Sequence, residues 1–425
     1  MTYNAVVCKI TNLRPIPKAD RLLVGECLHQ DVVVGIDTKE GDIGLFYGAD
    51  GRLTDGYLKA NKLIRTVHPD GSKTGTFDEN GKIRIQKLRG QKSNGYFTTL
   101  DSLRYTGGDI NSLKEGTELN EFNGVKFCEK YTVAPKEFKK GSSPNLLKSK
   151  FLFFHEHKDT KRILYKLDEI EVGMELTFTE KLHGTSQRSA LSLESQQSWW
   201  GTLINGVCKR TIIKPTLAYK HVCGTRRTVI KDWKRHTGFY QEKEGFRKEA
   251  DDLFFGKLAQ GETVYYEVVG YTRGASLIMP TGSTEKLQDK AMLKKYGKEM
   301  NFTYGCDEGE HKVFVYRMSI TDIDGNEKDY MWDEMESRCM VIGVKTVPLL
   351  LRGKFEGDID LLVDTCKKLA DGESTLDYRH IKEGIVVRND VPYYEGWKYK
   401  SFEFDILEDT IKLEGKEDIE EMQDA

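Results

Sequence analysis

The chain has 425 residues, 31% charged and 38% hydrophobic, and exceeds the ~250 to 300 residues at which single cores stop growing, so two domains are expected. A formal charge of -2, from 65 Lys and Arg against 67 Asp and Glu, excludes a uniformly basic polyanion binder and assigns any nucleic-acid contact to local basic patches. The eight cysteines form no Cys-x-x-Cys pair, which excludes a zinc ribbon or disulfide framework, and no apolar run nears the roughly 18 residues of a membrane span; a cytoplasmic (intracellular) protein with no membrane partner is expected.

Short β-type runs open the chain at 5–10, 22–27, 32–36 and 43–47, punctuated by Pro15, Pro17, Gly35, Gly41 and Gly51, and predict a small β-barrel. The composition then shifts: Lys136, Lys139 and Lys140 precede Gly141-Ser142-Ser143-Pro144, which places a linker at 129–150. A helix is predicted near 159–165, followed by strands alternating with helices to Phe404 and an acidic tail at 408–425. The expected division is therefore a β domain at 1–128, the linker, a second domain at 151–407, and the tail.

The most informative segment of the second domain is Thr179-Glu180-Lys181-Leu182-His183-Gly184-Thr185-Ser186, where a β-run delivers a lysine into a glycine turn rich in donors. A lysine acts as a nucleophile only as the neutral amine, so its surroundings must take the proton; the alternative is a surface lysine before a hairpin. Further on, Tyr266-Glu267-Val268-Val269-Gly270 sets one carboxylate in an apolar strand, which is costly unless the group is paired or used. Val313-Phe314-Val315-Tyr316 brings aromatics on which a purine can stack, with core packing as the plainer reading for Phe314. Glu383-Gly384-Ile385-Val386-Val387-Arg388 opens a β-branched strand with a carboxylate. Lys398 and Lys400 are two apart, so a strand places both ammonium groups on one face, as a triphosphate site requires or as a solvated edge strand allows. No Gly-x-x-x-x-Gly-Lys-Ser/Thr loop, dinucleotide fingerprint or Gly-x-Ser-x-Gly elbow competes with this set.

In this order, Lys181-x-His183-Gly184, Tyr266-Glu267-x-x-Gly270, Phe314-Val315-Tyr316, Glu383-Gly384-Ile385-Val386 and Lys398-x-Lys400 resemble motifs I, III, IIIa, IV and V of the covalent nucleotidyltransferases: DNA ligases, RNA ligases and mRNA-capping enzymes. His183 resembles the RNA ligase form of motif I. The front of the chain, with Asp20-Arg21-Leu22 and Lys87-Leu88-Arg89-Gly90-Gln91-Lys92-Ser93-Asn94-Gly95, is similar to the OB-fold domain that precedes the catalytic domain in one ATP-dependent RNA ligase family. His157-x-Asp159-Thr160 matches the start of that family's catalytic domain. With 25 residues after Lys400, a carboxy-terminal OB domain of the DNA ligase or capping type is not expected.

The resemblance implies an α+β fold: an N-terminal OB-type β-barrel, then an adenylyltransferase (ATP-grasp-like ligase) domain of antiparallel sheets flanked by helices. It implies joining of RNA 3′-hydroxyl and 5′-phosphate ends, as in nick sealing and RNA repair, through a lysyl-AMP on Lys181 and an adenylylated RNA 5′ end. By motif position, Glu180, His183 and Gly184 would line the nucleotide, and Glu267 would contact ribose or a metal. Tyr316 would stack on adenine, Glu383 would hold a metal or orient Lys181, and Lys398 and Lys400 would neutralise the α-phosphate. ATP and Mg2+ or Mn2+ are the implied cofactors. RNA, as a nicked duplex or as free ends, is the implied partner of a monomer, held by Lys82, Arg84, Lys87, Arg89 and Lys92 in front and by Arg226 and Arg227 between motifs I and III. The competing expectations are a DNA ligase, a capping guanylyltransferase, or a noncatalytic OB-fold RNA-binding protein.

Overall fold

The computed structural model describes residues 3–70, 72–131, 151–196, 213–230 and 245–413, with a few isolated positions between them. The chain forms two compact units, and neither is continuous in sequence.

The first unit is built on residues 3–131. Its four-stranded antiparallel sheet runs in the order Gly95–Thr99, Ile43–Gly48, Ala5–Lys9, Glu118–Leu119. Val7, Leu45 and Tyr47 project from it into a core completed by Tyr57, Phe77, Leu103 and Phe127. A separate meander, Thr11–Pro15, Leu22–Cys27 and Gln30–Gly35, is tied in where Ser93 Oγ accepts the Val33 N–H at 3.1 Å and the Asn94 N–H donates to the Asp31 carbonyl at 2.9 Å. The predicted strands are thus present, but among the described residues no ladder closes them into a barrel.

Two later segments, Ser283–Lys295 and the helix Phe402–Leu413, belong to this unit. Lys82, its side chain 1% exposed, binds Asp409 of that helix through an ion pair of 2.8 Å and donates to its carbonyl at 3.0 Å. The expected acidic tail therefore begins inside a helix: Glu408 and Asp409 are buried, and Asp409 meets Lys82 of the first unit. Residues 414–425, and the linker with Lys136, Lys139 and Lys140, lie outside the described residues.

The second unit carries two mainly antiparallel sheets. One has five strands in the order Lys161–Arg162, Gly396–Lys400, Gly384–Asn389, Glu175–Lys181, Leu349–Lys354. The other has seven, with Thr185–Gln196 and His311–Thr321 on either side of Glu262–Gly270. The helix predicted near 159–165 is instead the two-residue strand Lys161–Arg162 and one 3-10 turn, Ile163–Tyr165; pairing with Gly396–Lys400 takes up the extended backbone.

Helix Ile359–Ala370 starts where the Asp358 carboxylate accepts the Leu361 N–H at 2.9 Å. Its Leu362, Val363, Cys366 and Ala370 pack on Leu176, Phe178, Ile385, Val387 and Trp397 of the five-stranded sheet. Each large side chain so buried contributes about 1.5–3 kcal/mol. Strand alternation then fixes the other face: with Leu176 and Phe178 toward the helix, Thr177, Thr179 and Lys181 point away from it. No described helix is long and apolar enough to cross a membrane.

Candidate active site

Lys181 is the last residue of strand Glu175–Lys181, and the sheet register sets it opposite Gly384, which in turn lies opposite Lys400. The next row on that face is Thr179, Val386 and Lys398. Lys181 thus shares one sheet face with Lys398 and Lys400, more than 200 residues further on, with Val386 among them. Gly384 permits the arrangement, since a Cβ there would stand 2.1 Å from the Tyr399 carbonyl oxygen and 2.7 Å from Lys400 Cα.

Glu383, immediately before that glycine, holds the row together. Its Oε1 lies 2.8 Å from Lys181 Nζ and 3.2 Å from Lys400 Nζ, and its Oε2 is 3.8 Å from His183 Nδ1. The carboxylate is 3% exposed, whereas Lys181 keeps 23% of its side-chain surface. A buried carboxylate is tolerable because two ammonium groups compensate it. Lys181 is the most open member of this cluster, ahead of Lys400 at 11%.

After Lys181 the chain turns through 182–184 into the second sheet. Gly184 passes so close to strand Glu262–Gly270 that a Cβ would meet the Val268 carbonyl oxygen at 2.6 Å. The His183 N–H donates to Tyr304 Oη at 2.6 Å, and the His183 ring meets Phe302 edge-on at 4.9 Å. Tyr304 sits in left-handed backbone at φ 51° in a loop held by Asp377, which accepts from Thr303 Oγ1 at 2.6 Å and the Gly305 N–H at 2.7 Å. Burial would raise the Asp377 carboxyl, but its bonds from Arg379, Thr303 and Gly305 hold it well below the usual carboxylate range. Burial also lowers the His380 pKa, keeping the imidazole neutral so that Nε2 can accept the Tyr304 N–H at 3.3 Å. Glu267, opposite Ser186 and Phe314 in the second sheet, accepts from Ser186 Oγ at 3.1 Å.

The remaining predicted residues are placed less simply. Glu180 faces away from Lys181, 1% exposed, and its carboxylate accepts from Ser374 Oγ at 2.6 Å, the Thr375 N–H at 2.9 Å and Thr375 Oγ1 at 2.5 Å. Tyr316 is the extra residue of a β-bulge, since Tyr265 pairs with Arg317 and Tyr266 with Val315. Its hydroxyl lies 2.9 Å from His157 Nδ1. Arg226 makes a short ion pair with Asp159, and Arg227 lies 3.5 Å from the same carboxylate. Burial pushes the Asp159 carboxyl up, but Arg226 outweighs it and holds the group below its ordinary value. Lys87, Arg89 and Lys92 belong to the first unit.

Sequence reasoning missed Tyr304, Asp377 and the Ser374-Thr375 pair, and it missed Arg162, which the register sets beside Lys398. The one available signal was the polar run Asp377-x-Arg379-His380 just before Glu383.

The profile of the RNA ligase family matches residues 174–412, more than half of the chain, including Lys181, Glu267, Glu383, Lys398 and Lys400. The chain belongs to the RNA ligase family. In structure it resembles a Naegleria gruberi RNA ligase variant solved with ATP and Mn, at 15% identity and a TM-score of 0.56, over 96% of this chain and 98% of that one. An apo variant of the same ligase gives 17% identity and a TM-score of 0.58 over 95% and 98% of the two chains. The same ligase solved with PPi gives 15% and 0.56 over 97% and 99%. At such identities the likeness is one of fold. Comparison with curated proteins gives no sequence match.

Proposed function

We propose that this ligase uses ATP to join RNA 3′-hydroxyl and 5′-phosphate ends, with Lys181 carrying AMP between the two halves of the reaction. The observation that carries the reading is the single buried carboxylate, Glu383 Oε1, set 2.8 Å from the Lys181 amine and 3.2 Å from Lys400. That oxygen is within reach of the proton Lys181 must lose, and Lys400 is a cation ready to turn from the carboxylate to an incoming phosphate. The Naegleria structures with ATP and Mn and with PPi support a nucleotide and its leaving group in a fold of this kind.

Lys181 Nζ would form a bond to the α-phosphorus as the bridging bond to the β-phosphate breaks and pyrophosphate leaves. An RNA 5′-phosphate oxygen would then displace the lysine, and a 3′-hydroxyl would displace AMP from the adenylylated end. Lys398 and Lys400 stabilise charge on the α-phosphate, the Val386 face supports the base, and Tyr316 stacks on it. Glu180, bound by Ser374 and Thr375, fixes the strand end that carries the nucleophile and so acts on the nucleotide through position.

The residues fit a divalent ion of the Mg2+ or Mn2+ type. Glu267 and Glu383 are separate buried carboxylates, and among the described residues no three His, Cys, Asp or Glu side chains converge into a metal cage. Such an ion takes one or two protein carboxylates and completes its shell with water and phosphate oxygens. Held by Glu267 and Glu383, it would neutralise charge developing on those oxygens.

The first unit serves, in this reading, as an OB-type RNA-binding module, with the second unit as the catalytic region. Arg226 and Arg227, oriented by Asp159, would approach the RNA phosphate of a nicked duplex. Incubation with α-labelled ATP and Mg2+ or Mn2+ should leave covalent label on the denatured protein, and Lys181→Ala should abolish it. No label from the unmodified protein under either metal would overturn the reading.

A further inference from the structure

The basic residues that the sequence nominates for RNA in the first unit are not equally available. Lys87 lies 3.8 Å from Asp289, and Lys92 pairs with Glu403 at 3.3 Å while its ammonium lies 4.8 Å from the centre of the Phe402 ring. Arg89 differs. It forms, with Gly90, the turn between strands Gln86–Leu88 and Gln91–Ser93, both residues at positive φ, and projects from the hairpin tip. Its guanidinium donates to the Lys18 carbonyl at 3.3 Å, which brings a second exposed cation beside it.

The segment that supplies Asp289 adds the rest of the charge. Ser283–Lys295 lies in sequence between the strands of Glu267 and Tyr316, yet it belongs to the first unit, anchored by buried Thr284 and Leu287. Asp289 accepts the N–H groups of Ala291 and Met292 at 2.9 and 3.1 Å and so begins helix Lys290–Tyr296. Lys286, Lys290 and Lys294 are exposed, and among the described residues they make no ion pair. Lys290 and Lys294 are four apart on one helix face, where like charges destabilise the helix unless an anion intervenes. The concentration is local, since the whole chain has a formal charge of -2.

We propose that Lys286, Lys290 and Lys294, with the hairpin tip at Arg89, form a surface that binds the phosphodiester backbone of the RNA substrate. No large apolar side chain is exposed between 86 and 92 or between 283 and 295. A protein partner would be met by an apolar or aromatic centre. Lysines without one suit a backbone read by charge alone. The inference rests on the RNA ligase reading above and deepens it by locating where the RNA lies on the first unit.

The test uses the full chain with Lys286→Ala, Lys290→Ala and Lys294→Ala combined, against the unmodified protein and a triple Lys→Arg variant. Binding to a nicked RNA duplex is followed by fluorescence anisotropy over a salt titration, and label transfer from ATP alone is measured in parallel. The alanine triple should take up label at the unmodified rate. Its log Kd against log salt should be shallower by about 2 to 3, at ~0.9 for each phosphate that the protein no longer neutralises. Its joining should be weak at low RNA and recover at high RNA. The arginine triple should keep the original slope, which separates lost charge from lost fold. If the alanine triple binds with unmodified affinity and slope, the surface is not where RNA binds. Absence of label from the unmodified protein would instead count against the ligase reading, while the anisotropy comparison would still report on the surface.

Discussion

Glu383 is buried with one oxygen shared between two ammonium groups, and each of the three charges depends on the other two. Glu383→Gln keeps the shape but removes the countercharge and the base, so lysyl-AMP formation should fall by about 100-fold or more, read as label per minute from α-labelled ATP. Tyr304 offers a finer test of the same centre. Tyr304→Phe keeps the buried ring but leaves the His183 N–H without its acceptor, a loss of about 1–3 kcal/mol. If the turn positions Lys181, most of that loss should appear as a roughly 10-fold or greater drop in label transfer while the protein stays folded at the assay temperature. Unchanged transfer with a lowered Tm would make Tyr304 a packing residue only. Lys181, Glu383, Lys398 and Lys400 could be nominated as candidates from sequence because strand alternation and the spacing within each motif operate over a few residues. Tyr304 was not, because its link to His183 spans 121 positions and depends on a left-handed loop that Asp377 holds in place.

Strand pairing explains why single backbone positions matter beyond their own side chains. Gly384→Ala forces a Cβ against the backbone of Tyr399 and Lys400, which cannot yield as a flexible side chain can. The strands must part, so loss of label transfer should accompany a destabilisation of roughly 2 kcal/mol or more, measured by denaturant unfolding. At the far end of the second sheet, strand Glu327–Asp329 is tied to Arg317, whose Nη2 lies 2.7 Å from Glu327, while Lys158 lies 2.8 Å from the other carboxylate oxygen. Burial would raise the Glu327 carboxyl, but Arg317 and Lys158 outweigh it and lower it from 4.5 to about 2. A carboxyl depressed in the folded state contributes its stability above the unfolded pKa and loses it as pH falls through the folded one. Glu327→Gln should therefore cost on the order of 2 kcal/mol near neutrality, after allowance for solvent screening, and that difference should disappear between about pH 5 and pH 2. A difference in unfolding free energy that persists at the acid end would refute the assignment. Periodicity alone located the strand at Leu22–Cys27 and the one beginning at Ile43, but it cannot show a bulge such as that at Tyr316, which exists only relative to the partner strand.

Across the whole molecule, the sequence reads as consecutive blocks, whereas the chain folds as two discontinuous units. The α+β class and the motif order were accessible from local pattern. The return of Ser283–Lys295 and Phe402–Leu413 to the first unit was not, because the contacts that fix it are long-range: Lys82 and Asp409 are 327 residues apart and neither has a distinctive local signature. That ion pair allows a test of the division. Ending the chain after Ser401 removes Asp409, Glu403 and the buried Leu407 together, and with them the 2.8 Å ion pair that Asp409 makes with Lys82. Removing one member of a buried pair costs about 3–5 kcal/mol, whereas replacing both with apolar residues is often neutral. The shortened chain should therefore show an unfolding transition at clearly lower temperature by calorimetry. In the full chain, Lys82→Ala should destabilise by a similar amount, and Lys82→Met combined with Asp409→Leu should recover most of it. If the shortened chain melts as the full chain does, helix Phe402–Leu413 is an appendage of the first unit and carries none of its stability.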